Sequence, residues 1–273
     1  MAIFSFGKEL LHRFSRDEIF GLSAELAYFF LLSLFPFLIF LLSLIAYLPI
    51  SQDDVLGAVR QYAPGNTMNL IETNVQQIMS VQRGGLLSFG LLAALWSASN
   101  GINAVVRAFN RAYEVNENRS FIVTRGTAVL LTFAMVFVII VALLLPVFGK
   151  EIGMLVATTF GYSNEFLAIW NAIRFSLSFI ILLLVFMALY FIAPNKRLHI
   201  KEVYLGALFA TVGWMTVSYL FSYYVSNFGN YTATYGSLGG IIVLLIWFYL
   251  SGLLIIVGGE INAILQKKKE VNV

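Results

Sequence analysis

Six times along its length this chain runs for more than twenty residues with almost no charge, at about 24–48, 85–109, 123–149, 170–193, 203–227 and 236–265. A hydrocarbon layer of roughly 30 Å takes about 20 apolar residues of α-helix to cross. Within such a layer only helices and closed barrels satisfy their own backbone N–H and C=O groups. Barrel strands would appear as alternating segments of about ten residues, and none is present. The expected fold is therefore all-α: a single six-helix transmembrane domain over residues 1–273. Composition agrees, because 60% hydrophobic and 11% charged residues with a mean hydropathy of +0.86 do not suit a water-soluble domain of this size.

No charged, apolar and small-residue segments follow one another at the N-terminus as in a removable signal peptide, so the first run is expected to remain as a span. An even number of spans places both termini on one side. Twelve Lys and Arg residues fall in the N-terminal arm, the second and fourth loops and the C-terminal tail, against Arg60, Arg83 and Lys150 in the other loops. The positive-inside rule then makes both termini cytoplasmic. The same asymmetry accounts for most of the net charge of +3, so no nucleic-acid partner is needed. The first external loop, about 49–84, keeps helical apolar spacing (Val55, Leu56, Val59, Tyr62; then Met68, Ile71, Val75, Ile78) on either side of APGN at 63–66. Two short amphipathic helices are expected there, lying at the outer interface or acting as a lid.

Polar residues inside spans mark candidate sites, since a charge at mid-membrane costs about 2.5–3.5 kcal/mol on insertion scales. On the second run Trp96, Asn100, Asn103 and Arg107 are spaced 4, 3 and 4 and share a stripe about 60° wide. A rise of about 1.5 Å per residue puts Asn100 about 22 Å and Arg107 about 33 Å from an outer entry near Gly85. Glu25 opens the first run and Glu260 closes the sixth at similar depth. The expectation is a Glu25, Arg107, Glu260 cluster at the inner mouth, the alternative being three separate interfacial charges. Tyr249 lies on the Glu260 face. Pro36 leaves the Leu32 carbonyl without its helical partner and shares a face with Glu25, Leu32 and Ser43. That face is expected to look inward, with Pro36 either a static kink or a hinge. Gly206, Ala210, Gly213, Gly252 and Gly259 permit close helix packing.

Four stretches in order, LAYFFLLSLFPFL at 26–38, WSASNGI at 96–102 with FNRAYEV at 109–115, ALYFIAPN at 188–195, and YGSLGGIIVLLIWFYLSGLLIIVGGEINA at 235–263, resemble the YihY/BrkB family of bacterial inner-membrane proteins over nearly the whole chain. The resemblance implies a six-helix multi-pass protein with cytoplasmic termini and brings no settled activity. A ribonuclease label attached to some members does not suit these residues: His12 and His199 stand alone, and the adjacent Asp53 and Asp54 fall on the side away from cytoplasmic RNA. A metal-dependent nuclease needs convergent carboxylates or histidines. With no cysteine, thiolate metal sites and cysteine nucleophiles are absent. No metal, cofactor or enzymatic activity is expected. The functional expectation is transporter-like movement or binding of a lipid or small anionic amphiphile along Asn100, Asn103, Arg107, Glu25, Glu260 and Tyr249. The alternative is a non-transporting scaffold that recruits an envelope partner or a second copy. Membrane lipids are the expected partners.

Overall fold

A computed structural model describes residues 2–47, 52–53, 56–57, 65–79, 84–134, 164–228 and 238–271. Its helices are α1 (Ala2–Arg16), α2 (Ile19–Ile45), α3 (Gly65–Met79), α4 (Gly84–Ala112), α5 (Phe121–Ala134), α6 (Asn164–Ile192), α7 (Ile200–Phe228) and α8 (Gly239–Val271). Among the described residues, α2, α4, α6, α7 and α8 are each long and apolar enough to cross a membrane. The third expected run, 123–149, is described only to Ala134. Of the two amphipathic helices expected in the first long loop, the second is α3, which begins within the APGN breaker. The first falls largely outside the described residues.

The central pair is α2 and α4, which run antiparallel in a register set by small residues. Tyr47 Oη lies by Gly84, the Phe40 backbone by Gly90 and the Phe30 ring by Gly101. At the far end Arg107 pairs with Glu25 and Arg111 with Glu18. Helix α8 lies on the other side of α2, where Gly252 accepts Leu26 and the Ser23 carbonyl and Phe30 meets Phe248 edge-on at 5.7 Å. Helix α7 runs antiparallel to α8: Gly206 touches the Gly258 carbonyl and Asn262, and Gly213 touches Leu254. The indoles of Trp214 and Trp247 donate to Ser251 and Ser218, each at 3.1 Å.

Asn262 is fully buried and binds the α7 backbone through both side-chain atoms. It accepts from the Gly206 N–H at 2.7 Å and donates to the Val203 carbonyl at 3.1 Å. Tyr190, on α6, donates to the Ile255 carbonyl at 2.8 Å. Buried polar atoms here are paired across helices, which is what excludes them from lipid.

The buried core is concentrated at one end. It takes Ile19, Leu22 and Leu26 from α2, Ile102–Tyr113 from α4 and its exit, Phe186–Ala193 from α6, Leu198–Ala210 around the start of α7, and Ile255–Ala263 from α8. This end also carries α1, the 113–120 and 193–199 connections and the C-terminal lysines, and is called the basic end below. Toward the other end large side chains such as Ile169, Phe175, Tyr219 and Tyr223 are exposed, as lipid-facing positions should be.

The inward face of α2 is Leu22, Ser23, Leu26 and Ala27, and this corrects one expectation. Leu32 is 43% exposed and Glu25 and Pro36 are only half-buried; of that face Ser43 alone is buried. The reason is steric: Gly252 and Gly101 admit Leu26 and Phe30, and this rotates the Glu25–Pro36 face toward the side of the bundle.

Candidate functional site

The polar stripe of α4 meets α5 and forms the wall of a lateral cavity. Arg125, one turn into α5, donates to Asn100 Oδ1 at 2.7 Å, and its guanidinium lies over the Trp96 ring at 4.0 Å. Arg107 pairs with Glu25 on α2. Between these pairs is a space of about 170 Å³ lined by Asn103, Val106, Arg107, Asn110, Glu117, Phe121, Thr124 and Arg125. Two buried oxygens on its walls, Asn103 Oδ1 and Thr124 Oγ1, have no hydrogen-bond partner. An unpaired buried polar atom costs about 1–3 kcal/mol, and both are sealed behind the cavity wall. Trp96 and Phe121 beside the cavity are 63% and 79% exposed, which gives the polar space an apolar rim. Among the described residues Arg125 has no carboxylate partner.

The floor of the cavity is tied to the connection after α6. Asn110 donates to Glu117 at 2.9 Å and accepts the Asn195 N–H at 2.7 Å. Asn195 donates to the Asn116 carbonyl, and Arg119 donates to Glu117 and to the Ala193 carbonyl. FNRAYEV and APN, distant in sequence, thus form one hydrogen-bonded corner. Arg119, by hydrogen bonds from side chain and backbone and by its charge, and Asn110 hold the Glu117 carboxyl down at about 2.

Glu260 is placed elsewhere, which corrects the expected three-residue cluster. Glu25 and Arg107 meet, but the fully buried Glu260 binds Arg13 of α1. Arg13 Nη1 donates to Glu260 Oε2 and to the Ala112 carbonyl, both at 2.9 Å, and its Nε donates to Glu9 at 3.1 Å. Arg13 also meets the C-terminus of α4, where helix carbonyls lack partners and a cation is favoured. Glu260 Oε1 and the Tyr113 hydroxyl, both buried, have no hydrogen-bond partner. Burial, with the nearby Glu202 and Glu260 carboxylates, pushes the Tyr113 phenol up.

Arg13 was the residue missed. The signal for it was that, of the two guanidiniums in this amphipathic helix, Arg13 falls beside the stripe of Phe6, Leu10 and Phe14. Tyr249 is half-buried, about 16 Å along α8 from Glu260, and lines neither this cavity nor the one below. Pro36 lies within an unbroken α2.

Around Arg13 the basic end is bound by ion pairs. Arg16 pairs with Asp17 and Glu114, and Lys267 with Glu114. Glu18 and Glu114 both adopt left-handed backbone, φ 55° and 56°, at the tight exits of α1 and α4. A second cavity of about 90 Å³ opens here, between Arg13, Tyr113, Lys196 and Lys267. Among the described residues no three His, Asp or Glu side chains converge as a metal site would require. His199 is exposed and faces Glu202.

The family profile described as Virulence factor BrkB matches residues 10–272. The chain belongs to this family. BrkB-type relatives cover it nearly end to end. A Bacillus subtilis (strain 168) protein named "Putative ribonuclease-like protein YfkH" is 63% identical over 98% of this chain and 97% of its own length. A "UPF0761 membrane protein" of Vibrio atlanticus (strain LGP32) is 28% identical over 97% of this chain and 83% of that protein. Another, from Alkalilimnicola ehrlichii, is 28% identical over 91% of this chain and 55% of its own length. No solved structure matches. This is therefore a membrane protein of the BrkB and UPF0761 type, built from several apolar helices.

Proposed function

We propose that this protein is a transporter-like carrier of an anionic lipid or anionic amphiphile, whose head group enters the α4–α5 cavity from the side of the bundle. The observation that carries the reading is the meeting of two guanidiniums, Arg107 and Arg125, with the exposed ring of Phe121 around one space, beside the exposed Trp96 ring on which Arg125 lies. A soluble anion needs only the charges. An amphiphile needs the charges and an apolar rim open to the bilayer, and here the rim is present.

With the Lys and Arg excess cytoplasmic, the cavity sits at the inner leaflet of a bacterial plasma membrane, and both termini are cytoplasmic. Arg125 is the free element of the site. Its bonds are to neutral partners, Asn100 and Trp96, and an anionic phosphate competes well against a neutral amide for a guanidinium. Hydrolysis of RNA, suggested by the printed name of the Bacillus relative, is not adopted. The two histidines stand apart at positions 12 and 199, and no acid–base pair is set against a nucleophile in the cavity.

The test is movement of a labelled anionic phospholipid between leaflets of proteoliposomes. Wild type is compared with Arg107→Gln, Arg125→Gln protein inserted to the same level. Wild-type movement that falls at least tenfold in the variant supports the carrier. Equal, background-level movement in both removes it and leaves the scaffold reading, in which the polar stripe only fixes helix packing.

A further inference from the structure

Charges around the α4–α5 cavity nearly cancel. On its wall stand Arg107, Arg125 and Glu117. Off the wall, Glu25 pairs with Arg107 and Arg119 with Glu117. Among the described residues Arg125 alone is left uncompensated, its partners being the Asn100 amide oxygen, the Trp96 ring and the Trp96 carbonyl. Neighbouring charges add nothing, because Arg111 is turned to Glu18, and Lys196, next to the Asn195 that closes the floor, is turned to Glu270. The cavity therefore presents one net positive charge.

Glu117 opposes a second negative charge there. Its oxygens accept from the Arg119 backbone N–H, Arg119 Nε, Arg119 Nη2 and Asn110 Nδ2, which fills the four lone-pair sites of a carboxylate. It has no site left to accept a ligand's hydroxyl, and the same bonds keep it ionised. Arg107 differs, because it gives only Nη2 to Glu25 and a guanidinium has five N–H groups. It still donates into the space although its charge is already balanced.

We infer that the cavity takes amphiphiles with a singly charged phosphodiester and turns away phosphomonoesters in their doubly charged form. The phosphodiester lies on Arg125, which balances its charge, and accepts hydrogen bonds from Arg107. The second charge of a monoester is stripped of water with no uncompensated cation to meet it and with Glu117 alongside. This rests on the lipid reading above and goes beyond it by naming the charge class of the head group, which Glu25 and Glu117 set.

Two lipids separate the inference from its basis. Phosphatidylglycerol, a diester, keeps one charge from about pH 5 to 9, while phosphatidic acid, a monoester, goes from one toward two as its second proton leaves, at about pH 6 for a phosphate monoester. Binding of each to the purified full-length protein is measured across that range in neutral detergent micelles, with phosphatidylcholine as the uncharged control. The ratio of the two affinities at each pH cancels titration of the protein itself. In wild type the affinity for phosphatidic acid, relative to phosphatidylglycerol, is expected to fall about tenfold from the acid end to the alkaline end, because a charge taken from water without a partner is costly. Glu25→Gln, which releases the Arg107 charge, is expected to reverse the trend, so that phosphatidic acid gains as pH rises. The Arg107 and Glu25 side chains are 55% and 35% exposed, and the loss of so exposed a pair leaves folding intact.

A wild-type ratio that stays level or rises with pH, with both lipids bound above phosphatidylcholine, overturns the charge inference and leaves the lipid reading standing. No preference of either anionic lipid over phosphatidylcholine overturns both. Displacement of bound phosphatidylglycerol by equimolar glycerophosphoglycerol, its deacylated head group, overturns the lipid reading and the inference about amphiphiles with it, because the occupant is then a soluble phosphodiester. The wild-type ratio needs no variant to fold.

Discussion

Replacing Arg13 by Met should destabilise this protein more than almost any other single change at its surface-facing helix α1, and the size of the effect follows from the geometry. Arg13 and Glu260 side chains are each 1% exposed and 2.9 Å apart. Glu260 Oε1 already has no partner, so losing Arg13 leaves the whole carboxylate buried and unpaired. Breaking a buried ion pair from one side costs about 3–5 kcal/mol. The Ala112 carbonyl loses its Arg13 donor as well, about 1 kcal/mol. Glu260→Leu is milder, because Arg13 keeps Glu9 and the Ala112 carbonyl; about 1.5–3 kcal/mol is expected for the lost charged hydrogen bond. The double variant Arg13→Met, Glu260→Leu replaces the pair by apolar side chains of similar volume, and such replacements are often neutral or stabilising. Its stability should therefore lie nearer wild type than the sum of the two single effects, with a coupling of about 2–3 kcal/mol in the cycle, within the range seen for contacting residues. Reversible unfolding in mixed micelles, followed by tryptophan fluorescence for all four proteins, measures it. An Arg13→Met cost below 1 kcal/mol, or additive single effects, would refute the reasoning.

Three other outcomes follow from contacts described above. Gly206→Ala places a Cβ 2.1 Å from the Gly258 carbonyl and 2.4 Å from Asn262 Nδ2; since backbone cannot move aside, α7 and α8 must separate, and a loss of about 1–3 kcal/mol or more is expected in the same unfolding assay. Asn262→Leu leaves the Gly206 N–H buried without its acceptor, at a cost of about 1–3 kcal/mol, with faster hydrogen exchange at the start of α7 as the local sign. The Glu117 carboxyl should titrate with a midpoint about 2, below the usual 4.5, so its stabilising contribution is present above about pH 4.5 and is lost as pH falls through about 2. Carbon NMR of the labelled carboxyl reads this directly, and Arg119→Gln should move the midpoint back toward 4.5.

Five of the six expected spans were legible, because lipid enforces them: a helix that must cross about 30 Å without water announces its length. Glu25 and Arg107 were legible for a related reason. They lie at similar depth on α2 and α4, and depth follows from counting residues along each helix. Glu260 shares that depth too, yet depth says nothing of azimuth. The Arg107 side of α4 turns to α2 and α5, while Glu260 turns toward α1 and the end of α4. Arg13 was hidden because an arginine in a short amphipathic segment that also carries Arg16 looks the same in sequence whether it is solvated or buried. Arg125 read as one more basic residue near the membrane surface; only the packing of α5 on α4 puts it over Trp96. Thr124 carried no signal at all, since a threonine in a helix ordinarily bonds its own backbone.

The Arg13–Glu260 bond also bears on how the protein is made. Glu260 leaves the ribosome 247 residues after Arg13. At about 5–20 residues per second, α1 waits roughly 12–50 s for the partner that completes its seat. During that interval its guanidinium has only Glu9 and, once α4 is made, the Ala112 carbonyl. The seat of α1 is thus completed only after α8 is made, and a chain cut before position 260 should hold α1 more loosely and more open to proteases.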